Sequence, residues 1–252
     1  MKLLTPLLLS AALLAMRPAA NRIDVYMIGD STMANRPRPE INPYRGWGQM
    51  LQGFFDDSIA VHNFAVNGRS TKSFIDEGRW NAVLAQLHRG DYVVIQFGHN
   101  DEKQQDPQRY TDPETTFREN LRRFVRDARS RGAIPILCTP IVRRKFGATG
   151  ALEDTHGAYV PAVKAVAIEL QVPLVDLEHL TRELVQRAGP EGSKALYAYV
   201  EANTNQMYPA GLHDDTHLSV SGATQVARLF AQGLRDTGLP LARHVVRAPG
   251  DG

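Results

Sequence analysis

Apolar residues along the chain gather into short runs, each ended by a glycine, a proline or a small polar residue, and longer amphipathic stretches lie between them. Residues 23–28 read as a buried strand, with Val25, Tyr26, Met27 and Ile28 contiguous and Gly29 as the stop. A second strand is expected over residues 59–66. The run 91–97, with Val93, Val94 and Ile95 consecutive, has the unbroken apolar character of a strand buried on both faces. Residues 134–139 and 172–175 complete the set. Helices are predicted over 47–55, 80–88, 115–131, 157–170, 177–188 and 219–234. The clearest is 115–131, where Phe117, Leu121, Phe124, Val125 and Ala128 form one stripe and Gly132 supplies the stop. Residues 189–213 read as loop with some helix. Strands alternating with helices predict an α/β protein with a mostly parallel sheet of about five strands, covered on both faces through right-handed crossovers.

Residues 1–20 stand outside this pattern. Lys2 gives a positive start, and residues 3–16 are rich in Leu and Ala, interrupted only by Pro6 and Ser10. The stretch is short for a membrane span and matches a secretory signal, with Ala19 and Ala20 near an expected cleavage point. The expected location is therefore secreted or periplasmic, with residues 21–252 forming one domain. Cleavage would remove Lys2 and Arg17 from 29 basic residues and none of the 27 acidic ones, leaving 27 of each. Such a balance lacks the basic footprint of a nucleic-acid binder. The single cysteine, Cys138, excludes an intrachain disulfide framework and reads as a buried strand residue.

The chemistry lies at the strand ends. Ser31 follows the first strand, Gly68 the second and Asn100 the third. In a parallel sheet these ends share one rim, where loops and free backbone N–H groups leave a crevice. Ser31 alone has two readings, a helix N-cap or a nucleophile. A nucleophilic serine needs a base to take its proton and a carboxylate to orient that base. Asp214 and His217, three positions apart ahead of the last helix, have the spacing to meet each other and return to the same rim. The N–H groups of Ser31 and Gly68 and the Asn100 amide would then be donors to an oxyanion. Trp47, set between Gly46 and Gly48, either stacks on a sugar ring or packs inside.

Gly29-Asp30-Ser31, Gly68, Gly98-His99-Asn100-Asp101 and Asp214-x-x-His217 together resemble the four blocks of the GDSL or SGNH hydrolase family. Thr32 stands where most of that family has Leu. The resemblance implies a three-layer α/β/α sandwich, Ser31 as nucleophile, Asp214 and His217 as acid and base, an oxyanion hole of Ser31, Gly68 and Asn100, and no metal or other cofactor. Within the family, Gly-Asp-Ser-Thr, residues 46–49, residues 67–70 and Asp215-Thr216-His217 look like the rhamnogalacturonan acetylesterases, which deacetylate pectin. That implies an acetylated polysaccharide or oligosaccharide as partner, with no nucleic acid and no membrane after signal cleavage. An acidic substrate would want fixed cations, for which Arg69, Arg143 and Arg144 are candidates, or they are solvated loop charges. The rival readings are an esterase of the same fold acting on xylan or another acyl ester, a metal-dependent phosphoesterase using the same Asp, Asn and His residues, and a non-catalytic carbohydrate-binding protein. His99 and Asp101 are expected to hold the Asn100 loop, and Asp215 to cap the last helix.

Overall fold

The computed structural model describes residues 22–246 and builds them on a five-stranded sheet of β1 (Ile23–Gly29), β2 (Ile59–Asn63), β3 (Tyr92–Gln96), β4 (Ile134–Cys138) and β5 (Leu174–Val175). The spatial order is β2, β1, β3, β4, β5, and every pair is parallel. The signal sequence expected over residues 1–20 lies outside the described residues. Alternate side chains of each strand enter opposite layers, as a period of two requires. Val25 and Met27 of β1, with Val94 of β3, pack under α1 (Trp47–Met50), α6 (Leu177–Gly192) and α7 (Val220–Asp236). Tyr26 and Ile28, with Val93 and Ile95, face α2 (Thr71–Asp76), α3 (Arg79–Leu84), α4 (Thr116–Ser130) and α5 (Tyr159–Glu169). The result is the α/β/α sandwich expected.

The amphipathic stripe predicted for α4 is buried along its whole length. Phe124 stacks on Phe97 and meets Trp80 edge-on, with ring centroids 5.6 and 5.1 Å apart. A large apolar side chain buried in this way contributes about 1.5–3 kcal/mol. Cys138 is buried at the end of β4, and burial pushes its thiol pKa up, consistent with an inert strand residue.

Four segments differ from their sequence patterns. The helix expected over 47–55 tightens after Met50 into a 3₁₀ turn, Leu51–Phe54. The second strand stops at Asn63, whose amide turns back to donate to Met33 O and Asn35 Oδ1, both at 2.8 Å. Helix α2, not foreseen, starts from a capping box in which Ser70 Oγ accepts from Ser73 N–H. The largest difference is in 189–213. Helix α6 continues through a break at Gly189 (φ 69°), and an antiparallel pair follows, β6 (Tyr197–Val200) with β7 (Leu212–Leu218).

Gly46 and Gly48 show what holds the first strand end in place. A Cβ on Gly46 would collide with the backbone of Met33 and Ala34, and one on Gly48 would lie 2.8 Å from Met33 O. The chain crosses directly behind the Ser31 turn, bonding Trp47 N–H to Thr32 O at 2.9 Å. Gly46→Ala should therefore destabilise the fold by about 1–3 kcal/mol through overpacking. A urea midpoint equal to that of the wild type would contradict this close approach.

Candidate active site

The turn after β1 is shaped by Asp30. Its main-chain carbonyl accepts from Met33 and Ala34 N–H, and its Oδ1 accepts from Thr32 N–H at 2.9 Å and Thr32 Oγ1 at 2.8 Å. Thr32 Oγ1 in turn accepts from Gln96 Nε2 at 3.1 Å, and Gln96 Oε1 accepts from the Trp47 indole. This buried polar chain fixes the backbone that carries Ser31. It also corrects the sugar-stacking reading of Trp47, which is 0% exposed and packs on Phe230 at 5.2 Å.

Ser31 Oγ lies 2.8 Å from His217 Nε2, and His217 Nδ1 lies 2.8 Å from Asp214 Oδ2. Asp214 and His217 meet as their spacing predicts, and they do so within β7 rather than in a loop ahead of the last helix. Ala198 pairs with Asp214 while its neighbour Tyr197 pairs with Leu218, so residues 215–217 bulge out of the ladder. Asp214 Oδ1 closes that bulge by accepting from the N–H groups of Thr216 (2.8 Å) and His217 (2.9 Å). The Tyr44 hydroxyl, which the sequence did not single out, donates to Asp214 Oδ2 at 3.1 Å, and its ring meets His217 edge-on at 5.6 Å. Burial opposes ionisation of Asp214, but the bonds from His217 and the backbone outweigh it and hold the carboxyl well below the usual range. Burial and the Asp214 charge push the Tyr44 pKa up, so its hydroxyl stays a donor.

Asp215 points elsewhere, accepting from Arg144 Nη1 and Tyr199 OH, both at 2.6 Å. It does not cap α7, because Ser219 Oγ accepts from Gly222 N–H there.

Gly68 adopts φ 75°, and among the described residues no protein acceptor takes its N–H or that of Ser31. Asn100 joins the same rim by donating from Nδ2 to Arg69 O at 3.1 Å, while its Oδ1 accepts from Lys103 Nζ at 3.0 Å. Asp101 holds this corner by accepting from Thr71 N–H at 2.9 Å and from the hydroxyls of Thr71 and Thr111. His99 Nδ1 lies 3.4 Å from Asp30 Oδ2, and the ring meets His156 edge-on at 4.6 Å. Burial pushes the His99 pKa down to about 4 despite Asp30, and pushes Asp101 up to about 7.

The three arginines expected to serve an acidic substrate each have a carboxylate already. Arg69 pairs with Glu77 at 3.0 Å, Arg143 with Glu102, and Arg144 with Asp215. Arg69 does line a cavity of about 420 Å³ that opens beside Gly68, with Lys72, Asp76, Glu77, Asp106 and Arg109 around it. Among the described residues no group of three or more His, Cys, Asp or Glu side chains could hold a metal ion, and no helix is long and apolar enough to cross a membrane.

The arrangement has the parts of an acyl-transfer site: a hydroxyl on an imidazole, an imidazole on a carboxylate, and unused N–H donors close by. The sequence model of the GDSL-like lipase/acylhydrolase family matches residues 27–225. The chain is 43% identical over 228 residues to rhamnogalacturonan acetylesterase RhgT of Bacillus subtilis (strain 168), covering 90% of this chain and 96% of that protein. It is 34% identical to the probable rhamnogalacturonan acetylesterase YesY of the same organism, covering 88% and 97%. Among solved structures, YxiM of Bacillus subtilis superposes with a TM-score of 0.72 at 29% identity, covering 89% of this chain and 59% of that longer one. The acetylxylan esterase Axe2 of Geobacillus stearothermophilus shares the fold, with a TM-score of 0.59 at 20% identity, covering 92% of this chain and 100% of that one.

His99 sets a pH dependence of stability. The unfolded histidine titrates near an ordinary pKa of roughly 6.5, whereas burial lowers the folded one to about 4. Between these values the unfolded chain binds more protons, so stability should fall as pH drops through that window. His99→Gln should flatten the slope of urea midpoint against pH there. An unchanged slope would show that His99 does not carry it.

Proposed function

The chain belongs to the GDSL-like lipase/acylhydrolase family, and from that premise we propose that it is a secreted or periplasmic serine esterase that removes O-acetyl groups from an acidic plant polysaccharide of the pectin, rhamnogalacturonan type. The observation that carries the reading is the pair of 2.8 Å contacts linking Ser31 to His217 and His217 to Asp214. Ser31 Oγ attacks the acetyl carbonyl as its proton passes to His217 Nε2. Asp214 stabilises the imidazolium through Nδ1 and keeps Nε2 aimed at the hydroxyl. The negative oxygen of the tetrahedral intermediate takes hydrogen bonds from Ser31 N–H, Gly68 N–H and Asn100 Nδ2. His217 then gives its proton to the sugar oxygen, which departs as an alcohol, and acetyl-Ser31 is hydrolysed by water activated on the same imidazole.

The names of RhgT and YesY support the choice of acyl group and substrate. Export is supported by the apolar, Leu- and Ala-rich residues 3–16 behind Lys2. For substrate charge, Arg36 is better placed than the three arginines first considered. It donates to Ser31 O at 2.8 Å and lies over the Tyr44 ring at 5.3 Å, with no carboxylate in ion-pair range among the described residues. A galacturonate carboxylate would provide its missing counter-charge.

Ser31→Ala should lower hydrolysis of p-nitrophenyl acetate by at least about a thousandfold with folding intact, and His217→Ala nearly as much. Asp214→Ala should cost less, since an imidazole with poor orientation still accepts protons. Retained activity in Ser31→Ala would remove the nucleophile. Acetate release should be fastest from acetylated pectin when compared with acetylated xylan and aryl acetates, and a preference for xylan would replace the substrate proposed. Among chains recovered from the medium or periplasm, the N-terminus should begin near residue 21; an intact Met1 there would contradict cleavage.

A further inference from the structure

The Asn100 side chain is nearly symmetric in shape, so packing alone cannot choose which end of its amide faces the substrate; its hydrogen-bond partners must. They choose without ambiguity. Lys103 Nζ can only donate, and it lies 3.0 Å from Oδ1. Arg69 O can only accept, and it lies 3.1 Å from Nδ2. A flipped amide would set an NH₂ group against an ammonium and a carbonyl against a carbonyl. One Nδ2 hydrogen is taken by Arg69 O, which leaves the other for a ligand. The chain makes the arrangement locally, since Lys103 N–H bonds back to Asn100 O at 3.3 Å and folds the side chain of Lys103 over that of Asn100.

Lys103 also differs in pairing from its cationic neighbours. Arg109 is held by Asp106 at 2.5 Å, and Arg143 is paired with Glu102. Among the described residues no carboxylate lies in ion-pair range of Lys103; burial and the like charges of Arg109 and Arg143 lower its pKa, against the opposing pull of Glu102 and Asp106. Among the described residues the one hydrogen-bond partner of its ammonium is Asn100 Oδ1. A charge-assisted bond is roughly twice as strong as a neutral one and draws electron density toward Oδ1, so the far N–H becomes a better donor.

We propose that Lys103 is the positioning residue of the oxyanion hole, fixing the Asn100 amide with Nδ2 toward the reacting carbonyl and strengthening its free N–H where negative charge develops. This rests on the esterase reading above and adds to it a residue that touches neither nucleophile nor acyl group.

The test uses Lys103→Met, Lys103→Arg, Asn100→Ala and the Asn100→Ala/Lys103→Met double variant, assayed on p-nitrophenyl acetate, which carries neither sugar nor charge, and on acetylated pectin. Losing one oxyanion donor outright costs about a hundredfold to a thousandfold in kcat, so weakening one should cost about tenfold or more. Lys103→Met should show that loss in kcat on both substrates with KM nearly unchanged. Lys103→Arg, which keeps a charged donor, should recover most of it. In the Asn100→Ala background Lys103→Met should add nothing, because the group it acts through is gone. The proposal is overturned if the two losses multiply, or if Lys103→Met raises KM for pectin while leaving p-nitrophenyl acetate untouched, which would make Lys103 a contact to the substrate's carboxylates. Near-wild-type kcat in a folded Lys103→Met protein overturns it as well. Full activity in Ser31→Ala on the same assay instead removes the esterase reading, so the two failures are separable.

Discussion

Ser31 Oγ and His217 Nε2, 186 positions apart, meet at 2.8 Å, and most of the architecture can be understood as what keeps them there. A hydrogen bond of this kind tolerates only a few tenths of an ångström, while Ser31 sits in the turn beyond β1 and His217 in the bulge that interrupts β7. The two sides are fixed by different means. On the serine side, Asp30, Thr32, Gln96 and Trp47 form a hydrogen-bonded chain through the sheet, and the Gly46 to Gly48 crossing leaves no room for the turn to relax. On the histidine side, the β6 and β7 pair is anchored by Arg45 N–H bonding to Leu218 O at 2.9 Å and by α7 packed on the sheet. Tyr44 bridges the two, since its loop runs on into Arg45 and Trp47 while its hydroxyl reaches Asp214.

The same region concentrates polar atoms that the rest of the core avoids. Asp30 Oδ2 and His99 Nδ1 face each other outside hydrogen-bond geometry, and Asp101 Oδ2 has no hydrogen-bond partner among the described residues. Each buried polar atom left without a partner costs about 1–3 kcal/mol. Elsewhere the sheet is flanked mainly by Val, Ile, Leu and Phe, although Arg118 Nε on α4 is also buried without a hydrogen-bond partner. The unpartnered carboxylate and imidazole atoms gather at the strand ends, as expected when those ends are held for chemistry and the layers for stability.

The sequence revealed the layers because strand burial and helix amphipathicity are local periodicities; β3 and α4 lie within one residue of their predicted ends. It pointed to the contact between Asp214 and His217 while misplacing the element. Residues 212–218 alternate too little to look like a strand, since both their faces are partly open and their pairing with β6 is interrupted by the bulge. Helix α2 was invisible because its first turn depends on Asp101, thirty residues away, accepting from Thr71. Trp47 is open to stacking or packing in the sequence because spacing alone does not show that its flanking glycines mark how closely two backbones pass. Charge was least legible of all. Whether Arg69, Arg143 and Arg144 are available depends on Glu77, Glu102 and Asp215, and no one-dimensional pattern connects them.

If the substrate is the acidic polymer proposed above, that pairing bears on how the enzyme uses its cations. A fixed positive charge that meets a substrate carboxylate binds ground state and transition state alike, which lowers KM without helping the chemical step. Surplus cations around the rim would also hold the deacetylated product, whose carboxylates are unchanged. Neutralising three arginines in place keeps their hydrogen-bonding and packing roles while removing that drag. Two cations with no carboxylate in ion-pair range among the described residues stand in different positions: Arg36 against the main chain of Ser31, and Lys103 behind the amide of Asn100. In the proposed oxyanion hole the Asn100 amide stands between Lys103 and the reacting carbonyl, so the field of Lys103 is felt most by an oxygen gaining charge there. Positive potential placed this way acts on the difference between ester and tetrahedral intermediate, and only that difference changes the rate.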